Sequence, residues 1–497
     1  WVGSNDGLIH VTRDGGDSWT NVTVNLDSLP PWGTVSNIEA SRFAVGSAYV
    51  TVDLHQVDDR NPYVYRTNDF GASWTLITNG IPRGMLSYAH VIREDPERPG
   101  MLYLGTENAV YLSIDDGDNW LPLRNNLPPA PVHWLTIQEA YGDLVLGTYG
   151  RGFWILDDLS PLRQLDDGVL ASRAHLFEPR PAYRLQRRSL PGEPDRDGPH
   201  GYREDPPFGA PINYYLADSI VDDGGSEGEA TITIRDNLGD VVRTLRGDAS
   251  AGINRVYWDL RHEESPPIEL RTPPLGHPGV AFGPDSIGYN DEGWRELHVE
   301  GSGPNGPLAV PGKYAVEVNV GGHLLTTTLE VVKDPTSAAS KDDIRAQIDL
   351  ALRIRDQVNV LTEMGNSIEW IRKQIDDLED LMRGRSDMTE AQGAAAAFDQ
   401  KLIDLEREFY ILRTTGASEN LLRFPAGLFS HFKMLGGYVT TGDARPTSSK
   451  YEVFDELSAR LEQHREIYGS LISTDLDEFN SIARAHGLPG LAVPPQN

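Results

Sequence analysis

Over the first third of the chain, apolar and polar residues alternate in short runs, the period-two signature of half-buried strands. Runs at 35–41, 48–53 and 63–66 predict three strands. Those at 90–93, 101–105 and 110–112 predict three more, and those at 132–137, 144–147 and 152–156 a further three. Two short runs, 1–3 and 8–11, precede them. After residue 165 the alternation stops, and 178–211 is crowded with Pro, Gly, Arg and Asp, which predicts a linker. Strand patterning resumes at 212–217, 230–235, 241–245, 254–260, 313–319 and 324–332. An insertion rich in Pro and Gly, 263–307, interrupts it and carries no regular pattern. Past Ser340 the period lengthens. Ile344, Ile348, Ala351, Val358, Leu361, Ile368, Ile371, Ile375, Leu378 and Met382 fall mostly three or four apart, predicting a long amphipathic helix that Gly384 ends. A second helix carries Phe398, Leu402, Leu405, Phe409 and Leu412. A third carries Phe454, Leu457, Leu461, Tyr468 and Leu471, with a short helix at 428–435 between them.

One motif recurs within the strand-rich third. Ser/Thr-x-Asp-x-Gly-x-x-Trp appears as Thr12, Asp14, Gly16, Trp19, as Thr67, Asp69, Gly71, Trp74, and as Ser113, Asp115, Gly117, Trp120. The copies start 55 and 46 residues apart, a spacing that suits a four-stranded propeller blade of about 40–50 residues. Each residue type has a physical role in a hairpin. Asp accepts backbone N–H groups, Gly goes where a Cβ would clash, and Trp packs into the seam between sheets. These motif residues are expected to be structural.

The three copies resemble the Asp-box repeats of sialidases, sortilin-type propellers and xyloglucan-active glycosidases. With the run Gly147-Thr-Tyr-Gly-Arg-Gly-Phe-Trp-Ile-Leu-Asp-Asp158, they are similar to the last blades of large secreted bacterial proteins of the sortilin-like or glycosyl-hydrolase-like kind. The middle strands, through Gly252, Trp258 and Pro311-Gly-Lys-Tyr314, resemble the immunoglobulin-like module of flagellar hook-capping proteins. The expected fold is mainly β with a helical C-terminal third: a partial Asp-box β-propeller, an Ig-like β-sandwich and a three-helix hairpin bundle. The expected division is about 3.5 blades in 1–165, a linker in 166–211, the sandwich in 212–334 and the bundle in 335–497. An incomplete propeller needs further blades, from the same precursor or another chain, to cover its flanks. The resemblance implies an extracellular, periplasmic or cell-surface setting, with any targeting segment elsewhere in the precursor.

Composition narrows the choice of partners. The 497 residues carry a net charge of −30, which repels phosphate backbones and argues against nucleic acid. There is no apolar run near the ~18 residues that a membrane helix needs, and Cys is absent. Aligning the innermost strands brings Asn37, His90 and Trp134 to equivalent places, with Arg93, Glu94 and His133 nearby. The preceding hairpin offers His55, Asp58, Asp59 and Arg60. The expected ligand-binding set is His55, Arg60, His90, Arg93, His133, Trp134 and Arg151. Asp58, Asp59 and Glu94 are candidates for glycosidase acids, but no catalytic pair is assigned. The alternative reading has these groups simply tying neighbouring blades together. A sialidase would need an arginine cluster, for which Arg42, Arg93 and Arg151 are available. Asp-Asp pairs could offer oxygen to Ca²⁺, yet none has the spacing of a Ca²⁺ loop, and no His-x-x-x-His suggests zinc. The set of expected metal ligands is therefore empty, and no cofactor is expected. The two functions expected are a binding and scaffold protein recognising peptide or glycan, and an exo-acting glycoside hydrolase. The bundle is a candidate for self-assembly.

Overall fold

Alternating residues become antiparallel meanders through the first 156 positions of the structure, a computed structural model that describes residues 1–185, 207–221, 228–276, 294–297, 306–413 and 424–494. Four sheets follow in chain order. The first holds β1 (Val2–Gly3), β2 (Ile9–Val11) and β3 (Thr20–Asn21). The second holds β4 (Thr34–Ala40), β5 (Ala48–Asp53), β6 (Tyr63–Thr67) and β7 (Thr75–Leu76). The third comprises β8 (Ala89–Glu94), β9 (Leu102–Thr106), β10 (Val110–Ser113) and β11 (Leu121–Leu123). The fourth comprises β12 (Val132–Gln138), β13 (Asp143–Thr148) and β14 (Phe153–Leu156). β1 packs on β4, β4 on β8 and β8 on β12, so the first strands of the last three sheets lie side by side. Each seam has its own apolar cluster. Ile92, Leu102 and Leu104 face Tyr49 and Val64 on one side of the third sheet, while Val91, Met101 and Tyr103 face Val132, Leu135 and Leu146 on the other. Burial on both faces explains why the third sheet's strands read as nearly continuous apolar runs.

The repeated motif forms the same turn three times. Asp14 Oδ1 accepts from Thr12 Oγ1 at 2.8 Å and from the Ser18 N–H at 2.9 Å, and the Gly16 N–H returns to Thr12 Oγ1 at 2.8 Å. Asp69 and Asp115 repeat this pattern with Ser73 and Asn119. Gly71 and Gly117 have φ of +80° and +86°, and a Cβ would press on Val22 and Ile77. The tryptophans diverge. Trp120 is buried in the seam, Trp74 is half-buried edge-on to Trp1, and Trp19 is exposed, because no described sheet lies on its side.

Two helical turns, α1 (Ser160–Gln164) and α2 (Asp167–Ala171), lead into a second β unit. Its strands are β15 (Ala174–Leu176), β16 (Ala182–Arg184), β17 (Ala210–Leu216), β18 (Glu229–Arg235), β19 (Val241–Asp248) and β20 (Gly252–Trp258). They continue with β21 (Glu269–Leu270), β22 (Arg295–Glu296), β23 (Gly312–Val320) and β24 (His323–Lys333). Sheets β15-β17-β20 and β16-β24-β23-β18-β19 enclose one core around Trp258, Tyr214, Ile232 and Val316. The expected linker is corrected here. Its first part supplies β15, antiparallel to β17, and β16, parallel to β24. These three-residue strands are too short for alternation to reveal them, and the Pro-Gly run at 191–199 lies outside the described residues. Asp158 joins this unit to the fourth sheet. Its carboxylate accepts from Asn213 at 3.0 Å, and Arg255 donates to the carbonyls of Asp157 and Asp158.

Five helices follow among the described residues, not three: α3 (Lys341–Met382), α4 (Thr389–Glu406), α5 (Leu428–Thr440), α6 (Ser448–Ser470) and α7 (Leu476–Ala485). Ser340 caps α3 in a reciprocal box with Asp343, and Gly384 follows its end at φ +78°. The expected short helix is the thirteen-residue α5. A π-helical turn at Leu471–Asp475 continues α6 into α7. The insertion is corrected too. Its described residues Ile268, Leu270 and Leu297 join the helical core, so this part of the β unit's insertion belongs to the helices' packing. No helix among the described residues is long and apolar enough to cross a membrane.

Candidate functional site

The first strands of the second, third and fourth sheets share an irregularity that creates the site. Val35 and Asn37 pair with consecutive residues of β5, Ala89 and Val91 with consecutive residues of β9, and Val132 and Trp134 with consecutive residues of β13. One extra residue, Ser36, His90 or His133, therefore bulges from each strand near its start, and a bulge re-aims its side chain. The equivalent positions are thus Ser36, His90 and His133, and the expected trio of Asn37, His90 and Trp134 is offset by one residue in two strands. The signal is present in the sequence: Val35, Ala89 and Val132 each precede the bulge by one residue, so aligning these three apolar positions would have matched them.

At this end of the strands, five rings form an unbroken row. His55 stacks on Tyr88 at 5.0 Å, Tyr88 meets His90 edge-on at 5.2 Å, His90 lies 4.3 Å from His133, and His133 stacks on Tyr149 at 5.6 Å. His55 and Tyr149 come from the hairpins joining the second and third strands of their sheets. Glu107, from the corresponding hairpin of the third sheet, sits at the middle of the row. Its Oε2 lies 2.8 Å from His90 Nε2 and 3.8 Å from His133 Nε2, and its backbone N–H donates to the Tyr88 carbonyl at 3.1 Å. Burial, together with the charge and hydrogen bond of Glu107, pushes the Tyr88 hydroxyl up to about 12. Burial also lowers His90 from its ordinary value, outweighing the hydrogen bond and charge of Glu107. The sequence reading missed Glu107 because its partners lie 17 and 26 residues away on separate strands, where no spacing rule applies.

The other expected residues separate into distinct places. His55 holds the Asp53 carboxylate at 2.7 Å. Asp58 is 95 % exposed at φ +66°, with Arg60 3.9 Å away. Asp59 is tied to Asn61 and to the Tyr63 hydroxyl at 2.8 Å; burial opposes its ionisation, but these bonds hold it below the usual carboxylate range. Arg93 and Trp134 lie further along the strands. The guanidinium is 4.4 Å over the indole, donates to Asn37 at 2.7 Å and pairs with Glu39 at 3.4 Å. Glu94 is buried between sheets, accepting from the Gly100 N–H at 3.1 Å, away from the ring row. Arg151 is exposed in the β13–β14 hairpin, whereas Arg42 pairs with Glu139 at the opposite ends of β4 and β12. The three arginines do not form a cluster. Chemically, the row offers flat apolar faces to a sugar ring or a peptide side chain. The carboxylates beside it, Asp53, Asp59 and Glu107, already have partners.

No protein-family model matches the chain, and no curated protein matches it. Among solved structures, the chain is similar to the GH74 xyloglucanase from Xanthomonas campestris at 20 % identity and a TM-score of 0.25, over 30 % of this chain and 24 % of that one. It is similar to YCF48 bound to D1 peptide at 13 % identity and 0.23, over 52 % and 74 %. A Niastella koreensis GH74 enzyme gives 10 % and 0.21, over 60 % and 47 %. The chain thus spans about a quarter of the xyloglucanase it matches. Likeness of this degree transfers no activity to it.

Proposed function

We propose that the chain is a secreted or cell-surface binding and scaffold protein. In this reading the four N-terminal sheets, 1–165, are part of a β-propeller of the Asp-box kind. The face carrying the ring row receives an extended peptide or glycan. An Ig-like unit built from β15 to β20 with β23 and β24, and the helical region with the part of the insertion packed on it, hold that face in place or join copies of the chain. The row from His55 to Tyr149 carries the proposal. It crosses three sheets, and at its end Tyr149 is 73 % exposed, leaving a ring face for a ligand. Hydrolysis is less well supported, because a glycosidase needs two carboxylates about 5–9.5 Å apart across a sugar. Glu94 is buried elsewhere, Asp59 is bonded to its own loop, and Asp58 stands in solvent.

Calorimetric titration against gluco-oligosaccharides, sialyllactose and a library of extended peptides tests this. One class is expected to bind without turnover, and Tyr149→Ala is expected to weaken it by about 0.5–1.5 kcal/mol, the range for a lost aromatic ring contact. Turnover of a sialyl or glucan substrate that Asp58→Ala or Glu94→Gln abolishes while the fold is kept would refute the binding reading.

A further inference from the structure

The centre of the ring row contains more than stacking surface. One ring nitrogen of His90, one of His133 and a Glu107 carboxylate oxygen all lie within 4.8 Å of one another. We propose that these three side chains bind a divalent transition metal ion, Zn²⁺ by preference, as a two-histidine, one-carboxylate site. Two imidazole nitrogens and one carboxylate oxygen make a donor set suited to zinc, and harder ions such as Ca²⁺ would want oxygen throughout.

The distances fit that assignment. Ligand atoms about 2.0–2.2 Å from a tetrahedral ion stand about 3.3 Å apart. Here the His90 separation from Glu107 Oε2 is 2.8 Å and the His133 separation is 3.8 Å, one on either side of that value. A hydrogen-bonded His–Glu pair needs only one imidazole, yet both Nε2 atoms converge on the same oxygen. The backbone is arranged to bring them there, because His90 and His133 are the extra residues of two separate bulges. Glu107 is anchored by its N–H on the Tyr88 carbonyl, which fixes the hairpin that presents its carboxylate. His133 is half-exposed and backed by Tyr149, so a turn of its ring can close the wider gap.

Three protein ligands leave a fourth position on the exposed side of His133, open to water or to an oxygen of a bound molecule. Use of that position by a peptide or glycan rests on the binding function proposed above, but metal binding itself does not.

The test uses the whole chain, stripped with chelator and titrated with Zn²⁺ and with Co²⁺. One equivalent is expected to bind, and Co²⁺ should give the strong visible absorption of a tetrahedral site. Glu107→Gln, which preserves shape, and His133→Ala, at a half-exposed position, should each weaken Zn²⁺ at least tenfold with unchanged circular dichroism. Absence of stoichiometric binding, or binding that Glu107→Gln and His133→Ala leave untouched, would overturn the site. Neither result depends on any sugar or peptide, so the stacking surface would stand or fall separately.

Discussion

Replacing Arg372 by methionine is expected to destabilise the helical region by about 3–5 kcal/mol, the cost of stripping the cation from a buried ion network. Arg372 on α3 is 6 % exposed. It donates to Glu406 at 2.8 Å, Glu369 at 3.1 Å, Thr272 at 3.0 Å and Asp399 at 2.9 Å. Glu369 also accepts from the Thr272 N–H and hydroxyl, which fastens the insertion onto α3, and Tyr410 donates to Glu406. Burial disfavours the Arg372 cation, but the charges of Glu406, Glu369 and Asp399 outweigh it and hold the guanidinium above its ordinary range. Methionine would leave two buried carboxylates facing each other. Urea denaturation followed at the helix band of the circular dichroism measures the loss, and a midpoint unchanged from the parent would contradict it. Lysine should restore little, having no planar fork to serve several acceptors.

Glu406 in the same network gives a pH signature. Burial, then the charge of Glu369, raises its pKa well above 4.5, against the pull of Arg372. Folding therefore favours its protonated form, and the sign follows from linkage. The stability this group contributes is fully present below the unfolded value near 4.5 and is lost as pH rises from there towards the folded value. Glu406→Gln removes that dependence. The variant should gain stability relative to the parent at pH 7, and the gain should shrink as pH falls towards 4.5. Paired thermal melts across that interval check the trend, and a gap that widens on acidification would reverse the assignment.

How far the sequence revealed these features depends on the range of the forces involved. Strand positions such as 48–53 were readable because period two expresses burial on a sheet face. The turn at Asp69 was readable because its bonds close within five residues. The ends of α3 were set by local chemistry at Ser340 and Gly384. Contacts spanning many residues left no such trace. Arg372 meets Thr272 a hundred positions away, and Glu107 meets His133 across a sheet boundary. The bulges are an intermediate case. A single extra residue shifts the alternation by one, so His90 was matched against its neighbours' following residues until pairing with β9 and β13 fixed the register. Length was the other limit: β15 and β16, at three residues each, contain too few positions to show a period.

The repeated turn allows a second large effect to be separated from local geometry. Trp120→Ala is expected to cost about 3–5 kcal/mol, whereas Trp19→Ala, at the same place in the motif, should stay within about 0.5 kcal/mol. The two sit behind turns with matching hydrogen bonds, since Asp14 and Asp115 each accept from a hydroxyl two residues before and an N–H four residues after. What differs is the seam. Trp120 is 2 % exposed, packs in the cluster with Ile77, Ile81 and Leu104, and donates its indole N–H to the Ile77 carbonyl at 2.9 Å. Trp19 is 46 % exposed. Trp120→Phe would keep part of the packing but leave the Ile77 carbonyl without its donor, placing it between the two, at about 1–3 kcal/mol. Amide exchange of β6 and β8, the strands flanking that seam, reports the local loss. Equal costs at Trp19 and Trp120 would mean that the turn itself, and not contact between neighbouring sheets, is what the motif stabilises. Loss confined to Trp120 would make the motif a device for joining sheets, which keeps the bulged strands in line and the ring row on their ends continuous.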